Sequence, residues 1–212
     1  MVTKPRIKIC GLTRLEDLHV AVRAGADAIG LVFYPPSPRY VDLKTAAELA
    51  RTVPPFVTIV GLFVNADPAI VKETLAAVPI HLLQFHGDED EDYCRQFDRP
   101  YMKAARVKPG MDLVQYVADF PSAQAILLDA FVDGYGGGGK VFDWTLIPPG
   151  LKKPIVLSGG LDAGNVGDAI VRVRPAAVDV SSGVEAAKGI KDAEKIRVFV
   201  AAVRAAELTP TD

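Results

Sequence analysis

The chain has 212 residues, half of them hydrophobic, and its 24 lysines and arginines against 26 aspartates and glutamates leave a formal charge of −2. Such a chain can bury one substantial core, and the balanced charge, without long basic or acidic runs, argues against a nucleic-acid or membrane partner. Two cysteines make no disulfide framework and the amino terminus lacks a signal peptide's apolar segment, so we expect a soluble, cytoplasmic protein.

Short apolar runs rich in β-branched residues recur along the chain, and most are followed by a helical pattern. Their nearly continuous hydrophobicity is typical of parallel strands covered by helices. Eight such units predict a compact (β/α)8 TIM barrel, one catalytic domain over residues 1–207 with a short tail over 208–212. A doubly wound open sheet is the alternative, but no Rossmann glycine signature follows the first strand. The predicted strands are Arg6–Cys10, Ala28–Phe33, Val57–Phe63, Ile80–Phe85, Tyr101–Arg106, Ala125–Asp129, Pro154–Ser158 and Ala177–Ser181.

Start signals for helices recur in the sequence. Thr13, with Glu16 three residues later, predicts a capping box, and Gly25 predicts the end of that helix. Asp192 precedes apolar residues at i, i+3, i+4 and i+7, which is the strongest helical pattern in the chain. The sixth crossover differs, because residues 142–149 end in two prolines and leave little room for a long helix.

The last two predicted strands end in small residues that favour a phosphate site. Gly159 and Gly160 follow the seventh strand, and Ser182 and Gly183 follow the eighth. Glycine just past a strand lets backbone amides approach a ligand closely, which suits a phosphate. Each pair could simply make a tight turn, but the pattern recurs after consecutive strands, where TIM barrels commonly bind phosphate.

Two reactive side chains lie at predicted strand ends, where TIM-barrel active sites are built. Cys10 ends the first strand, and a thiol accepts a proton only as the thiolate, so its ordinary pKa of ~8.5 would have to be lowered. The alternative is a small buried hydrophobe. Asp129 ends the sixth strand, where a partly apolar environment favours a general acid. A carboxylate that merely caps the next turn is the alternative.

Other polar residues are weaker candidates. Arg39 lies in a proline-rich loop after the second strand, where a guanidinium suits a carboxylate or phosphate, although an exposed surface arginine is the alternative. Residues 134–141 nearly match a nucleotide P-loop, but Val141 replaces its hydroxyl residue, so we expect a mobile loop over the barrel mouth. His86 ends the fourth strand and could reach the site, but the histidines show no metal-ligand spacing, which favours a structural role.

Several segments, in their shared order, resemble the phosphoribosylanthranilate isomerase family over nearly the whole chain. The resemblance implies an Amadori rearrangement of N-(5-phospho-β-D-ribosyl)anthranilate to 1-(2-carboxyphenylamino)-1-deoxyribulose 5-phosphate in tryptophan biosynthesis. Each segment is modest evidence by itself, and their order makes the match specific. The segments are KICGLT at 8–13, AIGLVF at 28–33, SPRY at 37–40, LQFHGD at 83–88, LLD at 127–129, the glycine-rich run at 136–144, LSGGL at 157–161 and VDVSSGVE at 178–185.

The resemblance also implies a role for each candidate residue. Asp129 would be the general acid that opens the furanose ring to a Schiff base, and Cys10 the general base that removes the proton from C2 of the sugar. Arg39 would pair with the anthranilate carboxylate. No metal or cofactor is implied, the expected ligand is a phosphorylated small molecule, and the protein is expected to be a monomer or homodimer. The amides around Gly159, Gly160, Ser182 and Gly183 would hold the phosphate.

The sequence departs from the family in its glycine loop. The family commonly has threonines where Gly138 and Val141 stand here, which could alter loop closure or product release.

A metal-dependent sugar-phosphate epimerase would need histidines and carboxylates at several strand ends. A barrel isomerase that uses two aspartates would carry aspartate in place of Cys10. A non-catalytic phosphosugar-binding protein would share the fold, since fold does not fix function.

Overall fold

The structure, a computed structural model, describes residues 4–130 and 142–206. The predicted tail at 208–212 therefore lies outside the described residues. So does the glycine loop that was compared with a P-loop, including Gly138 and Val141. In the two described stretches, no helix is both long enough and apolar enough to cross a membrane.

Eight parallel strands pair in chain order, and the last pairs with the first to close a barrel. This confirms the predicted (β/α)8 fold as a single domain, and every predicted strand lies within two residues of its observed bounds. Closure satisfies the backbone hydrogen bonds of all eight strands and leaves no sheet edge. The strands are β1 (Arg6–Cys10), β2 (Ala28–Val32), β3 (Thr58–Phe63), β4 (Leu82–Phe85), β5 (Tyr101–Val107), β6 (Ala125–Ala130), β7 (Ile155–Leu157) and β8 (Ala177–Val180).

Helices connect most consecutive strands and form the outer layer. As expected, the described part of the sixth crossover holds only a short 3-10 helix, Trp144–Leu146. The predicted stop at Gly25 is confirmed, because this residue adopts the left-handed conformation at φ 105°. The helices are α1 (Leu15–Ala24), α2 (Leu43–Ala50), α3 (Pro68–Ala77), α4 (Glu91–Arg95), α5 (Leu113–Ala118), α6 (Val166–Val173) and α7 (Ala193–Ala206).

The predicted capping box at the start of α1 is wrong. The residue before the helix is Arg14, and its side chain makes no capping hydrogen bond. Thr13 instead donates its hydroxyl to the carbonyl of Gly189, 2.6 Å away. A long-range contact with the segment after β8 therefore takes the hydroxyl that the local pattern assigns to the helix.

Two apolar layers fill the domain on either side of the strands. The outer layer packs the helices against the barrel, and the predicted stripe of α7 lies in it, fully or almost fully buried: Ile196, Phe199, Val200 and Val203. A smaller cluster fills the barrel interior. Because side chains occupy this interior, the barrel is a packed core and its ligand site must lie at one end. The interior cluster consists of Val60, Met102, Ala104, Leu127 and Val156.

A small hairpin follows β8 and returns to the carboxyl ends of the strands. Its strands, β9 (Glu185–Ala187) and β10 (Ile190–Lys191), pair antiparallel. The hairpin packs on the proline-rich loop, because a Cβ placed on Gly189 would lie 2.5 Å from the carbonyl oxygen of Pro38. This contact brings the end of β10 to the same side of the barrel as Cys10.

Candidate active site

Cys10 lies at the carboxyl end of β1, 5% exposed, among the apolar side chains of Val32, Leu62 and Val64. Burial raises the pKa of its thiol above the ordinary value, whereas the positive charge of Lys8 lowers it. The site therefore holds both an apolar surround that favours the thiol and a cation that favours the thiolate.

Lys8 belongs to a buried polar network inside the barrel. Its ammonium donates to Asp179 Oδ1 at 2.7 Å, and the hydroxyl of Ser158 donates to the other carboxylate oxygen at 3.2 Å. Lys8 and Asp179 are direct partners in the β1–β8 register. Sequence reasoning missed this network, although a charged residue in the middle of an apolar strand was a visible signal in both β1 and β8.

Asp129 lies near the end of β6, with its side chain 13% exposed. One carboxylate oxygen accepts the backbone N–H of Ala130 at 2.9 Å, and the other lies 3.1 Å from His86 Nε2. A Cβ on Gly159 would lie 3.0 Å from Asp129 Oδ1, so the carboxyl group borders the turn after β7. The structure thus joins the predicted acid to the predicted phosphate-binding turn.

His86 has a polar partner on each side of its ring. Gln84 Nε2 lies 2.8 Å from His86 Nδ1, while the Gln84 oxygen is buried without a hydrogen-bond partner among the described residues. In this orientation His86 carries its proton on Nε2 and donates it to Asp129. With the Gln84 amide reversed, its oxygen accepts from Nδ1–H and Nε2 accepts from a protonated Asp129. His86 thus reaches the candidate acid from the end of β4, as its position in the sequence allowed.

Arg39 forms a buried ion pair with Glu185 after β8. Its Nε and Nη2 donate to the two carboxylate oxygens at 2.7 and 2.8 Å, the bidentate geometry that a guanidinium favours. Lys191 donates to the same carboxylate at 3.0 Å. The alternative of an exposed surface arginine is wrong, since Arg39 is 8% exposed.

The turns after β7 and β8 pack directly on each other. Gly159 and Gly160 have φ values of 80° and 63°, which favour glycine. Gly183 leaves no space for a side chain, since a Cβ there would lie 1.9 Å from the carbonyl oxygen of Leu161. Ser182 begins the short 3-10 helix Ser182–Val184 beside this contact. The four predicted phosphate-binding residues thus come from two adjoining turns.

The barrel brings every candidate residue to the carboxyl ends of its strands. Cys10 and Asp129 come from β1 and β6, and the network of Ser158 and Asp179 lies on the two strands between them. A thiol that loses a proton and a carboxyl group that donates one can therefore act on different atoms of a single ligand. Within residues 4–130 and 142–206, no three histidine, cysteine, aspartate or glutamate side chains are grouped to hold a metal ion.

The sequence and the fold match one enzyme family. A family model described as N-(5'phosphoribosyl)anthranilate (PRA) isomerase matches residues 7–202. An N-(5'-phosphoribosyl)anthranilate isomerase of Dechloromonas aromatica (strain RCB) is 68% identical over 204 residues, which are 96% of this chain and 98% of the relative.

Two solved structures have the same fold. Phosphoribosyl anthranilate isomerase from Thermotoga maritima superposes with a TM-score of 0.89 at 42% identity, over 95% of this chain and 99% of that one. A phosphoribosyl anthranilate isomerase in complex with reduced 1-(o-carboxyphenylamino)-1-deoxyribulose 5-phosphate gives a TM-score of 0.85 at 40% identity, over 95% and 99% of the two chains. The chain belongs to the family of N-(5'-phosphoribosyl)anthranilate isomerases.

Proposed function

We propose that Cys10 and Asp129 carry out the isomerase reaction of this family as general base and general acid. The reaction converts the aminoaldose N-(5'-phosphoribosyl)anthranilate to 1-(2-carboxyphenylamino)-1-deoxyribulose 5-phosphate. The observation that carries the proposal is the placement of both groups at one end of a single barrel, each beside a buried partner. Cys10 has the ammonium of Lys8 nearby, and Asp129 has the ring of His86.

In the first step, the Asp129 carboxyl group protonates the furanose ring oxygen. The bond between C1 and this oxygen breaks, and the nitrogen lone pair forms a C1–N double bond, which gives the open-chain Schiff base. Asp129 becomes a carboxylate and keeps the hydrogen bond from the Ala130 amide. His86 Nε2, 3.1 Å from the other carboxylate oxygen, keeps the group oriented toward the mouth of the barrel.

In the second step, the Cys10 thiolate removes the proton from C2 of the sugar. The electrons of the C2–H bond form a C1–C2 double bond, and those of the C1–N double bond return to nitrogen. The resulting enolamine becomes the aminoketose when the C2 hydroxyl loses its proton and C1 gains one. Only protons pass between the enzyme and the substrate in this sequence, which supports the expectation that the enzyme needs no cofactor.

Two further groups are proposed to hold the ends of the substrate. The amides around Gly159, Gly160, Ser182 and Gly183 bind the phosphate, supported by the close packing of their two turns. Arg39 binds the anthranilate carboxylate, supported by the bidentate grip of Glu185, which fixes the plane of the guanidinium. The related enzyme solved with a reduced carboxyphenylamino-deoxyribulose phosphate supports this class of ligand.

Three broader expectations accompany this assignment. We propose that residues 1–207 form one catalytic domain that acts in the cytoplasm, supported by two cysteines that are not disulfide-bonded. The protein is proposed to be a monomer or a homodimer. A related enzyme of Thermotoga maritima is described as dimeric, and its mutually generated monomers have been solved.

Steady-state turnover of freshly generated phosphoribosylanthranilate, followed by the loss of its fluorescence, tests the proposal. We expect turnover in the wild type and a loss of about 100- to 10,000-fold in kcat for Cys10→Ser and for Asp129→Asn. Binding of inorganic phosphate should survive in both variants. Activity that persists in either folded variant would remove that residue from its role. A folded wild type that binds phosphate but turns nothing over would favour a non-catalytic phosphosugar-binding protein.

A further inference from the structure

A thiol is a poor base at neutral pH, and the apolar surround of Cys10 makes it poorer. Among the described residues, the charged groups that act on Cys10 are Lys8 and Asp179 from the barrel strands, Lys191 from β10 and Arg39 from the proline-rich loop. The inference below rests on the proposed function of Cys10 as a base.

Lys8 is the cation best placed to act on the sulfur. A Cβ built on Gly30 would lie 2.8 Å from Cys10 Sγ and 3.2 Å from Lys8 Nζ. These two distances limit the separation of sulfur and ammonium to about 6 Å or less, the range in which an opposite charge favours the ionised form of a group. A glycine at this place on β2 leaves the space between the two side chains open.

The two other cations are less suited. Burial lowers the pKa of Lys191, and its ammonium already donates to Glu185 and to the carbonyl and hydroxyl oxygens of Ser181. Two nitrogens of the Arg39 guanidinium donate hydrogen bonds to Glu185. The two cations share a single carboxylate, and Lys191 lowers the pKa of the thiol less than Lys8 does.

Lys8 stays charged although it is almost fully buried. Burial by itself lowers the pKa of an ammonium, but the adjacent Asp179 carboxylate raises the pKa of Lys8 above its ordinary value. Ser158 occupies the second oxygen of that carboxylate and fixes its orientation. Lys8 and Asp179 lie on β1 and β8, and Ser158 directly follows β7, so the barrel sets the position of the ammonium.

We propose that Lys8 is a positioning residue that holds Cys10 as the thiolate base, with Asp179 and Ser158 fixing the ammonium beneath the sulfur. Deprotonation of the thiol then exchanges a neutral group for an anion that faces a preplaced cation. The alternative is a purely structural role, in which the pair of Lys8 and Asp179 only links β1 to β8 inside the barrel. The two views differ in whether loss of the Lys8 charge moves the titration of the Cys10 thiol.

The decisive measurement is the pH dependence of alkylation of Cys10 by iodoacetamide, followed at that residue by mass spectrometry in the free enzyme. We expect Lys8→Met to raise the midpoint by about 1 to 3 pH units, because the cation is lost. Asp179→Asn removes a negative charge that raises the pKa of the thiol and also the partner that keeps Lys8 charged, two opposed effects, so Lys8→Met and the double variant below carry the decision. The pH profile of kcat/KM, which reports the free enzyme, should move in the same direction in Lys8→Met.

Controls separate this effect from a loss of folding. The double variant Lys8→Met/Asp179→Leu removes the whole buried pair without leaving one charge alone, which proteins often tolerate. It should fold and still show a raised midpoint, and Lys8→Arg should restore much of the shift. Lys103 on β5 is another buried lysine, and its ammonium lies 3.1 Å from Glu89. Lys103→Met should lower stability without moving the midpoint of Cys10 alkylation.

Each outcome decides the inference. A folded Lys8→Met variant or a folded double variant with an unchanged midpoint would overturn it. The alkylation experiment involves no turnover, so its failure is distinct from failure of the proposed function. Loss of activity in Cys10→Ser together with an unmoved thiol midpoint in Lys8→Met would keep the base and reject its proposed partner.

Discussion

Asp129 Oδ2 and His86 Nε2 lie 3.1 Å apart, and this contact joins the ends of β6 and β4 across the mouth of the barrel. The histidine is in turn held by Gln84, whose amide nitrogen lies 2.8 Å from Nδ1. A carboxyl group that must give up a proton therefore has a neighbour that either donates to it or accepts from it, according to the tautomer of the ring. The hydrogen-bond chain Gln84–His86–Asp129 orients the candidate acid.

Replacing His86 should slow the reaction more than it weakens binding. We expect His86→Ala to lower kcat by about 10- to 100-fold with little change in KM, because the carboxyl group loses its orientation rather than its chemistry. Steady-state assays with phosphoribosylanthranilate measure both kcat and KM. His19→Ala on α1 is the matched control and should behave as the wild type. Equal loss in the two variants would contradict the role of His86.

Replacing Glu185 should weaken substrate binding through Arg39. Glu185→Gln leaves a single amide oxygen to accept from the guanidinium, so the plane of Arg39 is no longer fixed at two points. We expect KM to rise about tenfold with a smaller change in kcat. Arg197→Ala, which removes a surface ion pair with Glu194, should leave KM unchanged. A Glu185 variant with tighter substrate binding would instead mark Glu185 as a competitor for Arg39.

Adding one methyl group at Gly183 should damage the predicted phosphate site. A Cβ there would lie 1.9 Å from the Leu161 carbonyl oxygen, so the two turns must separate. We expect Gly183→Ala to lower the free energy of unfolding by about 1–3 kcal/mol and to weaken binding of inorganic phosphate. Urea unfolding and isothermal titration measure the two effects.

Gly167 supplies the opposite control within α6. A Cβ at this position meets nothing within 4 Å, and alanine favours a helix over glycine by up to about 1 kcal/mol. Gly167→Ala should therefore raise stability slightly and leave phosphate binding unchanged. The prediction for Gly183 fails if both alanine variants bind phosphate as the wild type does.

Asp27 should make the fold sensitive to acid. Burial alone would raise the pKa of its carboxyl group, but hydrogen bonds from the Arg6 side chain and the Ile7 amide, together with the charge of Arg204, hold it below the ordinary value. Because the folded-state pKa is lowered, this stabilisation is present above the unfolded value, ~3.9, and is lost as the pH falls through the folded value.

The comparison of wild type with Asp27→Asn measures this contribution. We expect the variant to be less stable by about 1 kcal/mol at neutral pH, where the carboxylate is charged. The difference should shrink as the pH falls below 4, where the unfolded wild type binds the proton that the folded form resists. Urea unfolding at a series of pH values gives the difference directly. A gap that stays constant with pH would assign the effect to packing rather than charge.

The sequence by itself determined the barrel and selected candidate catalytic residues at its strand ends. Eight apolar runs followed by helical patterns were sufficient, because parallel strands buried on both faces are locally hydrophobic and their ends are marked by glycine or polar residues. The strand-end rule then selected Cys10 and Asp129 without knowledge of what surrounds them. Resemblance to the family added the roles of these residues, and the family itself is confirmed.

The partners of these residues were decided only by the tertiary structure. Lys8 and Asp179 are 171 positions apart, Arg39 and Glu185 146, and His86 and Asp129 43. No local pattern encodes such pairs, because barrel closure and the hairpin after β8 bring them together. Thr13 failed as a capping residue for the same reason. Propensity and periodicity act over a few residues, whereas the charge that a buried thiol or carboxyl group meets is set by whichever strand the fold places beside it.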